Sequence, residues 1–262
     1  MTQTHSLIPF MHELADAAAA AILPRFRSPL VAEAKPGGRH AFDPVTAADR
    51  EAEAAMRQLI GRRFPRHGIV GEEYGDERAD AECVWLLDPI DGTRAFICGL
   101  PLWGVLIGFR CAGRPALGMI AQPYLGERFV GTGDEAWLER GGERRPLKVR
   151  PCPALAEASL STTAPDLFDA SEMARYRAVE GRARLVRYGA DCYAYAMVAM
   201  GFLDCVVEAG LKPYDIEPIV PIVAGAGGFV TDWKGADKRG GGQVVAAGDR
   251  RVLEEALSEL DR

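Results

Sequence analysis

Two carboxylates lie three residues apart in the stretch CVWLLDPIDGTRAF, which runs from Cys83 to Phe96. The apolar run Cys83 to Leu87 predicts a strand buried on both faces that ends at Asp88, after which Asp91 stands on a turn that opens a short helix. Backbone N–H groups at a helix start suit a phosphate, but the two carboxylates would repel it and each other unless hard cations lay between them. The spacing therefore predicts magnesium-assisted phosphoryl chemistry. The plainer alternative is a buried strand followed by an ordinary Asp-Gly turn.

The motif DPIDGT, from Asp88 to Thr93, resembles the signature of the inositol monophosphatase superfamily, a group of magnesium-dependent, lithium-sensitive phosphomonoesterases. In that family a Gly-Glu-Glu precedes the motif, and a Trp-Asp follows far downstream, before a Gly-Gly. This chain has Gly71-Glu72-Glu73 upstream and Tyr214-Asp215 before Gly227-Gly228, so a tyrosine replaces the usual tryptophan while the acid stays in place. The resemblance spans most of the chain. It implies a mixed α/β fold, a five-layered αβαβα sandwich with the active site between its halves.

The resemblance also implies a set of metal ligands made only of oxygen atoms. Glu72, Asp88 and the Ile90 carbonyl would hold one magnesium ion, and Asp88, Asp91 and Asp215 would hold a second, with Asp88 bridging the two. A third, weaker ion near Glu72 follows from the same analogy. Two such ions can activate a water for in-line attack at phosphorus and stabilise the leaving alkoxide. No phosphorylated enzyme intermediate is needed. The plainer alternatives are a solvated acidic loop for Glu72 and a helix N-cap for Asp215.

Three further residues have implied roles around these ions. Thr93 and Glu72 would position the attacking water, and the N–H groups of Gly92 and Thr93 would bind phosphate oxygens. Asp49 has two interpretations. Thr46 and Asp49 form a pattern typical of a capping box at a helix start, whereas the family places an acid here that orients the catalytic threonine. One residue could serve both purposes.

The choice of phosphate ester depends on residues outside the metal site. Glu208 lies seven residues before Asp215, where the family contacts the alcohol portion of its substrates. Asp191 stands where sugar-specific members usually have a small residue, although it could simply cap the helix that starts at Cys192. Two carboxylates in a partly dry pocket would suit a cationic substrate. Arg94 is either a surface cation or part of the pocket entrance.

Segments 99–104, 122–129 and 212–218 together look like the bacterial histidinol-phosphate phosphatase branch of the family. We therefore expect hydrolysis of L-histidinol phosphate, which carries an ammonium and an imidazole group, in histidine biosynthesis. The nearest alternative is an inositol-1-phosphate or broad sugar monophosphatase, and a nucleotide 3′-phosphatase is more distant. A binding module that has kept the fold and lost catalysis is an alternative of another class. The intact set of candidate acids speaks against it.

The composition is that of an ordinary globular chain, with 262 residues and a formal charge of −6. It lacks the basic footprint of non-specific nucleic-acid binding, and no apolar stretch reaches the length of a membrane span. We therefore expect a small phosphate monoester as the partner, and neither nucleic acid nor membrane. Glu13 and Asp16 interrupt the apolar N-terminal segment, which predicts an amphipathic helix and no signal peptide.

The cysteines and histidines give no sign of a zinc or redox site. Six cysteines are scattered without a C-x-x-C motif or a paired histidine, a pattern typical of reduced, mostly buried thiols in a cytoplasmic protein. The four histidines are expected on the surface or at helix caps, because oxygen ligands suffice for the chemistry. The resemblance also implies a homodimer.

Two regions of different pattern predict two intimately joined parts. Short apolar runs separated by turns after residue 102 predict an antiparallel meander, which joins two early helices in a part at 1–150 that carries the first metal motifs. Strands then alternate with helices, so 151–262 predicts an α/β part that completes the active site. Within these parts we expect a loop at 35–40, a strand at 147–149, a helix at 172–180 capped by Ser171, and one helix at 216–226.

Overall fold

Two β-sheets with helices between and outside them form the structure, a computed structural model that describes residues 5–29, 32–34, 44–238 and 240–261. The larger sheet has eight strands, which are β3 (Gly68–Gly71), β4 (Gly75–Glu77), β5 (Cys83–Asp91), β6 (Gly104–Cys111), β7 (Arg114–Gln122), β8 (Glu127–Gly131), β9 (Ala136–Arg140) and β10 (Glu143–Pro146). They lie in the order β10-β9-β8-β7-β6-β5-β3-β4, and every neighbouring pair is antiparallel except β3 with β5. Strand β5, which carries the DPIDGT motif, is therefore an interior strand.

The smaller sheet comes later in the chain. Its strands are β11 (Ser159–Thr162), β12 (Leu185–Tyr188), β13 (Cys205–Leu211), β14 (Phe229–Thr231) and β15 (Gly242–Ala247), in the order β12-β11-β13-β15-β14. Strand β11 is parallel to both neighbours, and the other pairs are antiparallel. A separate antiparallel ribbon joins β1 (Glu33–Ala34) to β2 (Pro44–Val45).

The helices cover both sheets in alternating layers. They are α1 (Ile8–Ile22), α2 (Ala47–Arg63), α3 (Thr93–Ile97), α4 (Ala170–Glu180), α5 (Asp191–Ala199), α6 (Pro213–Ile216), α7 (Val220–Gly225) and α8 (Arg250–Leu260). One apolar core lies between α1, α2 and the larger sheet, a second joins both sheets through α5 and α7, and a third lies under α4 and α8. This arrangement confirms the predicted five-layered αβαβα sandwich.

The burial of β5 explains its continuous apolar run. Trp85 and Leu87 point into the core under α1 and α2, whereas Val84 and Leu86 point to the opposite face, as the two-residue period of a strand requires. All four are at most 1% exposed, and burying a large apolar side chain contributes roughly 1.5–3 kcal/mol. The core thus holds rigidly the strand whose far end carries Asp88.

A close backbone contact packs the segment between α6 and α7 against the larger sheet. A Cβ atom added to Gly118 in β7 would lie 1.7 Å from the carbonyl oxygen of Pro218, which connects α6 to α7. Arg110 in β6 donates from Nη1 to the Oε1 atom of Glu217 over 3.0 Å at the same junction. Since α6 carries Asp215, these contacts fix a candidate ligand relative to β5.

Three predicted element boundaries are wrong for identifiable reasons. The predicted strand at 147–149 is irregular, and the last strand of the meander is instead β10 at an edge, whose exposed polar residues give no apolar signal. The predicted helix at 216–226 is two helices, α6 and α7, because Pro218 and Pro221 interrupt the hydrogen-bond ladder. Asp169, and not Ser171, caps α4, since its carboxylate accepts from the N–H groups of Ser171 and Glu172.

Strand β5 also continues beyond Asp88, where we expected it to end. Its pairing with β6 shifts register after Asp88 and resumes at Asp91, so Pro89 lies in a local irregularity inside the strand. The capping box of Thr46 and Asp49 is confirmed at the start of α2. The predicted loop at 35–40 lies outside the described residues.

The histidine prediction is wrong for His67. Its ring stacks on Phe64 at 4.7 Å, and its Nδ1 atom accepts a hydrogen bond from Trp85 Nε1 over 3.1 Å, so it belongs to the edge of the core. All six cysteines lie in the described part and none forms a disulfide, although the Sγ atoms of Cys83 and Cys111 are 3.6 Å apart. None of the described helices has the length and apolar character to cross a membrane.

Candidate active site

Three carboxylates from two separate elements lie close together in the structure. Asp88 and Asp91 come from β5, and Asp215 comes from α6. One carboxylate oxygen of each lies within 4.8 Å of the others. The structure therefore brings together three of the residues that the motifs singled out, although 124 positions of sequence separate the second from the third.

Local hydrogen bonds fix the orientation of these carboxylates. The register shift in β5 lets the Ile90 N–H donate to Asp88 Oδ1 over 3.0 Å. Asp215 is the third residue of α6 and accepts from the Lys212 N–H over 2.7 Å, so it does not occupy the N-cap position that the plainer alternative gave it. The N–H of Cys192, in the first turn of α5, donates to Asp91 Oδ2. Each carboxylate is thus aimed before any ligand arrives.

The electrostatics of the cluster favour a hard cation. Burial and the nearby charges of Glu72, Asp91 and Asp215 raise the pKa of Asp88 well above its usual range. Burial and Asp215 raise the pKa of Asp91 to about 8, against the opposing effect of the Cys192 hydrogen bond. Carboxylates crowded in this way cannot all be charged without a cation, and an all-oxygen donor set suits magnesium. The residues present therefore fit the ion that the resemblance implies.

Glu72 lies on the turn between β3 and β4, next to the cluster. Its N–H donates to the carbonyl oxygen of Leu87, the residue before Asp88, over 3.2 Å. Its carboxylate is near enough to raise the pKa of both Asp88 and Asp49. The predicted first metal position is therefore next to the three-carboxylate cluster in space.

Thr93 and Asp49 lie near the cluster, but the structure shows no hydrogen bond between them among the described residues. The Thr93 hydroxyl donates to the Ile90 carbonyl oxygen over 3.0 Å. Asp49 is fully buried, and its Oδ2 atom accepts from both the N–H and the hydroxyl of Thr46, at 2.8 and 2.6 Å. Its Oδ1 atom is buried without a hydrogen-bond partner in the described part of the chain. Burial raises the pKa of Asp49 to about 6.

Gly92 links the cluster to the short helix α3. Its φ of +92° lies in the left-handed region, and an added Cβ would come within 2.9 Å of the Leu102 carbonyl oxygen and 3.2 Å of Asp191 Oδ2. Only glycine adopts this backbone conformation without strain and leaves the space that a Cβ would fill. The side chain of Asp191 therefore reaches the turn that carries the candidate phosphate-binding N–H groups.

Asp191 is held in an unusual backbone conformation. Ala190 is the N-cap of α5, so the alternative that Asp191 caps this helix is wrong. Gly189, Ala190 and Asp191 all have positive φ values, which for the last two residues cost on the order of 1 kcal/mol each. The strain aims a carboxylate towards Gly92. Burial, Asp91 and Glu208 raise the pKa of Asp191, while Arg94 lowers it.

Glu208 is only 6% exposed, and both of its carboxylate oxygens accept hydrogen bonds. Its Oε1 atom accepts from the Thr163 N–H over 3.0 Å, and its Oε2 atom accepts from the Tyr195 hydroxyl over 2.6 Å. Burial raises its pKa. Arg94 is exposed, and its charge is close enough to act on Asp191.

Two buried acids near the site were missed from the sequence. Glu53 lies one turn after Asp49 on α2, and Glu217 lies two residues after Asp215; they are 0% and 2% exposed. Glu53 could have been found, because it shares the inward face of a predicted helix with Asp49 at a spacing of four. Glu217 gave no such signal, because its partner Arg110 is 107 positions away.

The chain is similar to known proteins in sequence and in fold. A family model described as "Inositol monophosphatase family" matches residues 3–261. The chain is 42% identical over 231 residues to "Bifunctional phosphatase IMPL2, chloroplastic" of Arabidopsis thaliana, a match that covers 84% of this chain and 66%, just under two thirds, of the plant protein. It is 37% identical over 196 residues to a histidinol-phosphatase of Chlorobaculum parvum, covering 73% of each chain. A solved inositol monophosphatase from Zymomonas mobilis superposes with a TM-score of 0.85 at 43% identity, over 96% of both chains.

Proposed function

The chain belongs to the inositol monophosphatase family of metal-dependent phosphatases, and from this premise we propose that it hydrolyses L-histidinol phosphate to L-histidinol and phosphate with magnesium. The observation that carries the choice of substrate is the pair of acids Asp191 and Glu208 beside the three-carboxylate cluster. A neutral sugar would leave that excess of negative charge unbalanced, whereas an ammonium group would offset it.

We propose that Glu72, Asp88, Asp91 and Asp215, with the Ile90 carbonyl, hold two magnesium ions, and that a third binds more weakly near Glu72. Bound there, magnesium would supply positive charge that stabilises the phosphoryl oxygens and lowers the pKa of a water. The chain itself orients the reactants. The hydroxyl of Thr93 and the carboxylate of Glu72 would position the attacking water, and Asp49 would support Thr93.

The phosphate and the alcohol portion would lie on opposite sides of this centre. The N–H groups of Gly92 and Thr93 would hold phosphate oxygens at the turn after β5. The carboxylates of Asp191 and Glu208 would face the amino-alcohol end of the substrate, and Arg94 would line the entrance. The left-handed conformation at Asp191 supports this role, because strained residues persist where the surroundings over-determine them and they cluster at functional sites.

An inositol or broad sugar monophosphatase is the second candidate. It is favoured by the 43% identity to the solved Zymomonas mobilis inositol monophosphatase and by Glu208, whose fixed carboxylate could equally accept from a sugar hydroxyl. A binding module without catalysis is a third and more distant candidate.

Phosphate release from a panel of substrates tests the proposal. Purified protein is given L-histidinol phosphate, inositol 1-phosphate or adenosine 3′,5′-bisphosphate, each with magnesium and with EDTA. We expect release that depends on magnesium and is fastest from histidinol phosphate. Equal rates on inositol phosphate would favour the second candidate, and magnesium binding without release from any substrate would favour the third.

The variant Asp191→Asn tests the charge argument within the same assay. It keeps the shape of the side chain and removes its charge, so KM should rise for histidinol phosphate and stay unchanged for inositol 1-phosphate. An equal rise for both substrates would refute charge complementarity.

We also propose that the protein is a cytoplasmic homodimer that acts in histidine biosynthesis. The six unpaired cysteines support a reducing compartment, and the family resemblance supports the dimer. The formal charge of −6 supports a small-molecule substrate over nucleic acid. Light scattering after gel filtration would measure the mass of the assembly, and a monomer would contradict the dimer.

A further inference from the structure

The three-residue loop between β3 and β4 is held at every backbone N–H group. The N–H of Glu72 donates to the Leu87 carbonyl oxygen over 3.2 Å. The N–H groups of Glu73 and Tyr74 both donate to the carboxylate of Glu53, over 2.7 and 3.2 Å. The loop that presents Glu72 therefore rests on one side chain of α2.

Glu53 is well fitted to this role because it is buried and charge-balanced. Its side chain is 0% exposed, and Arg57, four residues later on α2, donates from Nε to its Oε1 atom over 2.7 Å. Arg57 also donates to the carbonyl oxygen of Gly75, at the far end of the same loop. A buried ion pair often adds little net stability, because removing its charges from water is costly. Stability alone therefore does not explain why this pair lies under the loop.

The backbone of the loop is shaped to receive this ion pair. A Cβ atom added to Gly71, the residue before Glu72, would lie 2.2 Å from Glu53 Oε1 and 2.6 Å from Arg57 Nη2. Glycine at this position lets the strand end approach the carboxylate directly. Both the side chain of Glu53 on α2 and the glycine at the end of β3 are therefore needed for this close contact.

We propose that Glu53 is a positioning residue for the metal site, which sets magnesium affinity by holding the loop so that Glu72 faces Asp88. The inference rests on the proposed function, because it takes Glu72 as a metal ligand. Helix α2 would then act twice, through Asp49 beside the Glu72 carboxylate and through Glu53 under the backbone of the loop. Outer hydrogen bonds of this kind commonly change metal affinity about 10- to 100-fold when removed.

The variant Glu53→Gln tests this, with Glu51→Gln as its matched control. Both remove one charge from α2, but Glu51 is exposed and pairs with Arg25 away from the loop. Magnesium titration by calorimetry on the folded proteins should show affinity about tenfold weaker in Glu53→Gln and unchanged in Glu51→Gln.

Hydrogen exchange of the amides in the loop gives a readout that needs neither metal nor activity. The amides of Glu73 and Tyr74 should exchange faster in metal-free Glu53→Gln than in the parent, and at the parent rate in Glu51→Gln. A second variant, Gly71→Ala, pushes the loop from the carboxylate without changing any charge. It should weaken magnesium binding in the same direction, which keeps the test valid if Glu53→Gln folds poorly.

The outcomes separate the two proposals. Faster exchange with parental magnesium affinity in both variants would overturn the inference, because the contact would then serve stability alone. Unchanged exchange in Glu53→Gln would also overturn it. A parent that binds no magnesium and releases no phosphate would refute the proposed function, while the exchange data would still report whether Glu53 holds the loop.

Discussion

Replacing Gly118 with alanine should move Asp215, on α6, away from Asp88 and Asp91, on β5. The added Cβ would lie 1.7 Å from the Pro218 carbonyl oxygen and 2.8 Å from its carbonyl carbon, and ordinary contact begins near 3.4 Å. The neighbour is backbone, so the chain between α6 and α7 must move by more than 1 Å. Overpacking of this kind costs roughly 1–3 kcal/mol, and we expect the upper part of that range because no flexible side chain can give way.

The displacement should reach the chemistry as well. Asp215 lies three residues before Pro218, and a shift of about 1 Å in a reacting group can cost about 100-fold in rate. Urea denaturation and magnesium-dependent phosphate release would measure the two effects. Gly61→Ala is the matched control, because an alanine Cβ in α2 meets nothing within 4 Å and should stabilise the protein by about 0.5–1 kcal/mol. A Gly118→Ala protein with the stability and activity of the parent would refute the tight packing of the α6–α7 segment against the sheet.

Three further predictions concern charge. Asp88→Asn should lose at least several kcal/mol of transition-state stabilisation in steady-state kinetics, and near-normal turnover would contradict the proposed metal ligation by Asp88. In EDTA the same variant should have a higher melting temperature than the parent, because it relieves repulsion between the carboxylates. Burial lowers the pKa of His67, so the unfolded chain binds that proton more readily, and the contribution of this histidine to stability falls as pH drops below about 6.5. The difference in unfolding free energy between His67→Gln and the parent should therefore shift in favour of the variant below that pH, and a difference that does not change with pH would exclude this histidine. Arg110→Met should destabilise the protein by about 3 kcal/mol in urea, because it leaves the buried Glu217 without its cationic partner. Adding Glu217→Leu should recover part of the loss, and no recovery would argue against a coupled pair.

The candidate metal ligands could be predicted because most of the information is local. Asp88 and Asp91 share one strand-turn segment, so their proximity follows from the apolar run and the turn residues alone. Asp215 needed the family resemblance, since nothing in its own surroundings says that α6 packs beside β5. The layered fold followed from the same resemblance and from the change of pattern near residue 150.

What the sequence did not reveal depends on contacts between distant residues. Ala190 and Asp191 continue the positive φ of Gly189, and the alanine gives no sign of this conformation in the sequence, because the surrounding structure imposes it. Strand β10 forms from exposed polar residues because its backbone pairs with β9, which no side-chain pattern reports. Pro218 signals the break between α6 and α7, whereas the apolar pattern that continues past it predicts a single helix.

The most direct test of the proposed activity is the ratio of kcat/KM for L-histidinol phosphate to kcat/KM for inositol 1-phosphate, measured on the parent protein at saturating magnesium. If Asp191 and Glu208 form a pocket for a cationic alcohol, the ratio should exceed about 10, which corresponds to about 1.4 kcal/mol of differential transition-state binding. A ratio near or below one would contradict that account and return the chain to the broader phosphatases of its family.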